Sequence, residues 1–167
     1  MNKKLLIGLT IFLIIIIGVA VYLRLFRVKE VHYHAGFQVY IDGKQKDFSA
    51  MQYMSLIPCG KNTGHEDEQL EKAHLHDTIG DVVHVHRDNA VWGDLFKNIN
   101  YQINTTQPVE AYLNGKKVNN IFAQKINPYD SLILLIGKNM DIETYLTKQV
   151  TKSKIMSVEK KSESCGI

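Results

Sequence analysis

Residues 5 to 23 read LLIGLTIFLIIIIGVAVYL, nineteen positions without a charge. As a helix rising 1.5 Å per residue, the run is about 29 Å long, enough to cross a hydrocarbon core of roughly 30 Å. A cleaved signal peptide has a shorter apolar region and a small-x-small exit, whereas this run closes on Val21, Tyr22, Leu23 and Arg24. The expectation is an N-terminal transmembrane helix that is not removed, an anchor over residues 1–27 in contact with membrane lipid. Lys3 and Lys4 precede it and Arg24, Arg27 and Lys29 follow, so the positive-inside rule nearly balances. A short basic tail before a first span usually stays in the cytoplasm. This makes the chain a single-pass membrane protein with residues 28–167 extracytoplasmic.

The anchor also changes how the charge is read. The formal net charge is +3, from 20 basic and 17 acidic residues, but Lys3, Lys4, Arg24 and Arg27 flank the span. That leaves 16 bases against 17 acids elsewhere, a net of −1. Such a balance gives no electrostatic footprint for nucleic acid, and that partner class is excluded.

Beyond the anchor the sequence is dominated by histidine spacing. Three His-x-His pairs, His32/His34, His74/His76 and His84/His86, hold six of the seven histidines. Random placement would give only ~0.3 such pairs, so the spacing needs a reason. On a strand, residues i and i+2 point to one face, roughly 6.5 to 7 Å apart, so two imidazoles can lean toward one ion. AHLHDTIGDVVHVH reads as a hairpin with Asp77 to Asp81 in its turn: His74 faces His84 if those five residues are the whole loop, and His76 faces His84 and His74 faces His86 if the loop is longer. Its facing positions then have equal parity, so His74, His76, His84 and His86 share a face while Val83 and Val85 take the other. His32 and His34 fall on a separate strand, His32 to Ile41, opposite in parity to Phe37, Val39 and Ile41. If that strand adjoins the hairpin, the cluster reaches six imidazoles. Asp77 is either a turn residue or an acceptor that orients a histidine or joins the metal.

An imidazole-rich site without thiolate suits Zn(II), Cu(II) or Ni(II). Two other readings of the paired histidines remain open: a hydrogen-bonded polar sheet face, and a face that loosens below about pH 6 when its rings protonate and repel. His65 with Glu66, Asp67 and Glu68 adds further donors but reads as a solvated loop. Met51 and Met54 read as packing, as does Trp92.

The remaining elements follow from turn chemistry and periodicity. Asp42-Gly43 turns the first strand into a second near Lys46 to Phe48. NAVWGDLFKNI carries an apolar stripe of helical period, with Asn89 or Asp88 as its cap. PVEAYLNGKKV is a strand with an Asn114-Gly115 turn, and SLILLIG reads as a strand buried on both faces. Residues 28–140 thus form one His-rich domain, and 141–167 are expected to be a polar, poorly ordered tail.

From Val82 the order is strand, helix, strand, turn, strand: VVHVH, WGDLFKNI, VEAYLNGKKV and PYDSLILLIG. Over roughly residues 81 to 137 this resembles the β-grasp of ubiquitin-like sulfur-carrier proteins. The resemblance implies an α+β fold with a β-grasp-like mixed sheet and one main helix. Those carriers end in Gly-Gly after the last strand, whereas this chain continues GKNMDIETY, so no conjugation chemistry is implied. The stretches HYHAGFQVYIDGKQKDFSAMQYM, HLHDTIGDVVHVH, LNGKK and DSLILLIG also resemble a group of membrane-anchored His-rich ectodomain proteins of uncultured bacterial lineages. Some of these are labelled protein-disulfide isomerase, which would imply an active-site dithiol. Here Cys59 and Cys165 lie far apart, and neither belongs to a Cys-x-x-Cys pair.

The functional expectation is a membrane-anchored domain that binds a transition metal for capture, sensing or transfer. Its ligands would be His74, His76, His84 and His86, joined by His32, His34 and Asp77. Three alternatives stand beside it: a metal hydrolase with Asp77 or a nearby carboxylate as base, thiol–disulfide exchange through Cys59 and Cys165, and a metal-free module that docks another envelope protein.

Overall fold

The computed structural model describes residues 2–25, 28–55 and 68–162. Within helix α1, Lys3–Leu25, the stretch Ile7–Leu25 is exposed throughout and is long and apolar enough to cross a membrane.

Strand β1, Glu30–Ile41, organises the rest. Its C-terminal end turns through Asp42 and Gly43, both at positive φ (48° and 82°), into β2, Lys44–Gln45. This is the Asp-Gly hairpin read from the sequence, although β2 is shorter and lies closer to the turn than expected. Strand β3, Val82–Arg87, pairs antiparallel with the N-terminal half of β1, from Glu30↔Arg87 to Gly36↔Val82. Strands β2 and β3 therefore share one edge of β1. Strand β6, Ser131–Ile136, runs parallel to β1 along its other edge. Beyond it lies the hairpin of β4, Val109–Leu113, and β5, Lys116–Val118, joined through Asn114 and Gly115 at positive φ. The result is a mixed α+β arrangement around one curled mixed sheet.

Side-chain parity assigns the two faces of this sheet. Phe37 and Val39 of β1, Val83 and Val85 of β3, and Leu132, Leu134 and Ile136 of β6 point to one side. There they bury Trp92, Leu95 and Phe96 of helix α2, Trp92–Asn98, together with Ile99 just after it. The helix starts at Val91, whose N–H donates to Asp94 Oδ2 at 3.0 Å. Asn89 and Asp88 do not cap it. Asp88 instead exchanges hydrogen bonds with the Lys29 backbone, fastening the start of β1 to the end of β3.

The opposite face is covered by two helices that the sequence reading left out. Helix α3, Glu143–Leu146, packs Tyr145 on Tyr40, Ile133 and Leu135. Helix α4, Lys152–Ser162, buries Ile155 and Val158 against Val82, with Val150 just before it. A Cβ on Gly36 would stand 2.5 Å from Val150 Cβ, so only glycine lets this segment lie on β1. The expected disordered tail over 141–167 is thus corrected for 143–162, and α2 is not the single main helix. A few apolar residues, seated in a lysine-rich stretch, are enough to hold α4 once a sheet face is there to receive them.

Candidate metal centre

The second face of the sheet continues past α4 into a patch of imidazoles. Even-numbered residues of β1 and β3 point this way, placing His32 and His34 beside His84 and His86. His34 and His84 are direct partners across the two strands. On the far side of β3, His74 bridges His84 in antiparallel register, with reciprocal backbone hydrogen bonds of 3.0 and 2.9 Å. This register corresponds to a five-residue turn from Asp77 to Asp81. Asn98 of α2 secures the segment by donating to the carbonyls of Gln69 and Ala73, both at 2.7 Å. The apolar side of the sheet thereby positions a ligand candidate on the other side.

All six paired histidines meet in one cluster. Ring centroids lie 3.9 Å apart for His34 and His84, 3.5 Å for His76 and His84, 5.0 Å for His32 and His86, and 5.2 Å for His74 and His86. His34 Nε2 and His84 Nε2 are 3.0 Å apart. His32, His84 and His86 each offer one nitrogen, all within 4.8 Å of one another, a set that can hold a metal ion. Ligand nitrogens about 2.0 to 2.1 Å from a zinc lie closer together than this, so closure asks each ring to move roughly 1 Å or less.

Two rings have acceptors behind them, and a third faces a carboxylate at longer range. His76 Nδ1 lies 2.7 Å from Asp77 Oδ2, and His74 Nδ1 lies 2.9 Å from the Leu70 carbonyl. Each contact, with the ring donating, fixes the tautomer that leaves Nε2 with its lone pair. His34 Nδ1 lies 3.8 Å from Glu159 Oε1 of α4, and that carboxylate also accepts from Tyr129 Oη at 3.0 Å. Asp77 combines both of its expected roles: its φ is +58°, as the turn requires, and it faces His76. Glu159 was missed because nothing local in the sequence links it to a histidine 125 positions away.

The patch is buried. His34 and His84 are 0% and 1% exposed, His74 and His76 are also buried, His86 is half-buried and His32 faces solvent. For His34, His74, His84 and His86, burial is the main cause holding the ring neutral, with the neighbouring imidazoles adding to it. It lowers His34 from 6.5 to about 4, with His32, His76 and His74 contributing next. His74 also falls to about 4, with the Leu70 hydrogen bond opposing the shift, and His86 falls to about 3. His84, facing His34, His76, His74 and His86, is driven furthest below the ordinary imidazole range. A neutral imidazole is the form that binds a metal. His84 Nδ1 and His86 Nε2 are buried without a hydrogen-bond partner among the described residues.

The other candidates lie apart. Met51 is exposed in a short 3-10 turn, Met54 bridges Leu75, and Trp92 is core. His65, Glu66, Asp67, Cys59 and Cys165 fall outside the described residues, so the acidic donors and the thiol pair have no geometry here. No protein family, curated protein or solved structure matches the chain.

Proposed function

We propose that this protein is a membrane-anchored, extracytoplasmic transition-metal-binding domain that captures, senses or hands on metal. The observation that carries the reading is the His32, His84 and His86 trio with ligand nitrogens within 4.8 Å, set inside a cluster of six imidazoles. Neutral rings, orienting acceptors and unpartnered buried nitrogens are what an ion needs and what a merely polar sheet face lacks reason to keep. Zinc, copper and nickel all suit imidazole donors. His34, His74 and His76 extend the ligand set, with Asp77 behind His76.

The anchored reading is supported by α1, whose apolar stretch is exposed throughout. The resemblance to membrane-anchored His-rich ectodomain proteins belongs to the same proposal. A β-grasp-like sheet is supported by the strand order β2-β1-β6-β4-β5 with α2 on one face. An envelope protein that receives or delivers the ion is the partner this reading calls for.

The test is equilibrium dialysis of the full chain in detergent micelles against micromolar zinc, copper and nickel, followed by elemental analysis. Bound metal that disappears in the His32→Ala/His86→Ala double variant supports the reading. Metal-free wild-type protein ends it.

A further inference from the structure

His84 is the ring about which the other five are arranged. Its centroid lies 3.5 Å from His76, 3.9 Å from His34, 5.9 Å from His32 and His74, and 6.4 Å from His86. Its two nitrogens have different surroundings. Nε2 stands 3.0 Å from His34 Nε2, while Nδ1 is buried and has no hydrogen-bond partner among the described residues. One ion takes one nitrogen from each ring, and a tetrahedral shell is full at four ligands. Six imidazoles exceed that shell, and a lone ion on Nε2 would leave the Nδ1 of a 1% exposed ring without a partner among the described residues.

Resting on the metal-binding reading, we propose that the cluster is a dinuclear centre in which His84 bridges two divalent ions. The outer ion is held by one nitrogen of His84 with His32 and His86, the trio whose ligand atoms already lie within 4.8 Å. The inner ion is held by the other nitrogen of His84 with His34 and His76. His74, 5.2 Å from His86 and 5.9 Å from His76, stands between the two positions.

The chemistry balances. A neutral imidazole carries one lone pair and one N–H. Binding the first ion uses the lone pair. Binding the second releases the N–H proton to solvent, leaving an imidazolate bonded to both ions. Charge placement supports the order of positions, because the two outer carboxylates both flank inner rings. Asp77 faces His76 at 2.7 Å and Glu159 faces His34 at 3.8 Å. They offset the charge of the more deeply buried ion, whereas the outer position opens to solvent through exposed His32.

Copper(II) alone, titrated into the full chain in detergent micelles, tests the bridge by elemental analysis and electron paramagnetic resonance. The expected result is two copper ions per chain. The first equivalent gives a full signal, and the second lowers the integrated intensity to less than half of the bound copper through spin coupling across the ring. The His32→Ala/His34→Ala/His86→Ala variant, checked for an unchanged circular dichroism spectrum, is expected to lose the coupled signal. Saturation of the wild type at one ion with full intensity overturns the dinuclear centre and leaves the metal-binding reading standing. Two ions with undiminished intensity overturn the bridge. No bound copper, zinc or nickel overturns the metal-binding reading and this inference with it.

Discussion

Val83 and His84 are neighbours on one strand and equally hidden, at 0% and 1% exposure. They face opposite sides of the sheet, and the reasons for their burial differ in kind. Val83 joins an apolar layer whose burial is favourable in itself, worth about 1.5–3 kcal/mol for a side chain of this type. His84 gains little by leaving water, because both ring nitrogens lose hydration while Nε2 finds only the His34 ring and Nδ1 no hydrogen-bond partner among the described residues. One face of the sheet supplies stability and the other spends some of it. A costly polar face kept inside a fold is what a ligand site looks like before its ligand is counted.

The sharpest way to separate the faces is to damage the apolar one first. Trp92→Ala removes a fully buried ring from beneath the sheet and is expected to cost about 3–5 kcal/mol in urea denaturation of the metal-free chain. That cost should be the same with and without metal removed by a chelator, apart from the shift common to wild type. On the histidine face the expected pattern is reversed. His84→Leu replaces a buried polar ring by an apolar side chain but takes from buried His34 Nε2 its partner at 3.0 Å, so the metal-free form should lose no more than about 1–3 kcal/mol. The variant should lose the metal-linked gain, which for wild type is about 4 kcal/mol at a thousandfold excess of free ion over its dissociation constant. A His84→Leu chain that is strongly destabilised without metal would show that the imidazoles hold the fold together on their own.

Acid should distinguish the faces again, with a smaller effect. In the unfolded chain the histidines titrate near 6.5, whereas burial holds His34 and His74 to about 4 and His86 to about 3 in the folded one. Between those values the unfolded state binds protons that the folded state refuses. Stability is therefore fully present above about pH 6.5 and falls as the pH drops toward 4, by up to about 1.4 kcal/mol per pH unit for each ring. Glu159 from α4, facing His34, and Asp77 from the turn, facing the neighbouring His76, bear opposite charge to a protonated imidazole and so soften the fall. Urea denaturation at pH 7, 6, 5 and 4.5 without metal measures the slope. A flat profile would mean the rings are hydrated in the folded state. Protons also compete with metal, so bound ion should be released over the same window.

How much of this was readable beforehand follows the same division. Parity along VVHVH separated Val83 and Val85 from the histidines correctly, and the Asp-Gly and Asn-Gly turns fall where the sequence placed them, because both signals act within a few residues. The hairpin face was legible for the same reason, since either turn length puts the four histidines on one side; the structure selects the five-residue turn, with His74 opposite His84. The pairing of β1 with β3 was left open, since it joins His34 to a residue fifty positions away and no local period encodes it. α4 was hidden more thoroughly. Ile155 and Val158, spaced three apart, are a helical signal, but four lysines in the same helix made the stretch look solvated. Only the empty place on β1 at Gly36 and the apolar Val82 explain why it docks. The acidic residue that this helix brings to the cluster could not be anticipated without the docking.

That residue gives the finest comparison. Glu159 approaches His34 from α4, whereas Glu110, on β4, is tied to Lys117 and Tyr112 away from the cluster. Glu159→Gln keeps the size of the side chain and its hydrogen bond from Tyr129, but removes the negative charge behind His34. Loss of such an outer carboxylate typically weakens metal binding 10–100-fold, about 1.4–2.7 kcal/mol. Glu110→Gln should leave affinity unchanged. Competition against a chromophoric zinc chelator reads both variants on one scale. A Glu159→Gln chain that binds as tightly as wild type would mean that α4 covers the sheet without tuning the histidines, and that the cluster relies on Asp77 and the Leu70 carbonyl alone for its orientation.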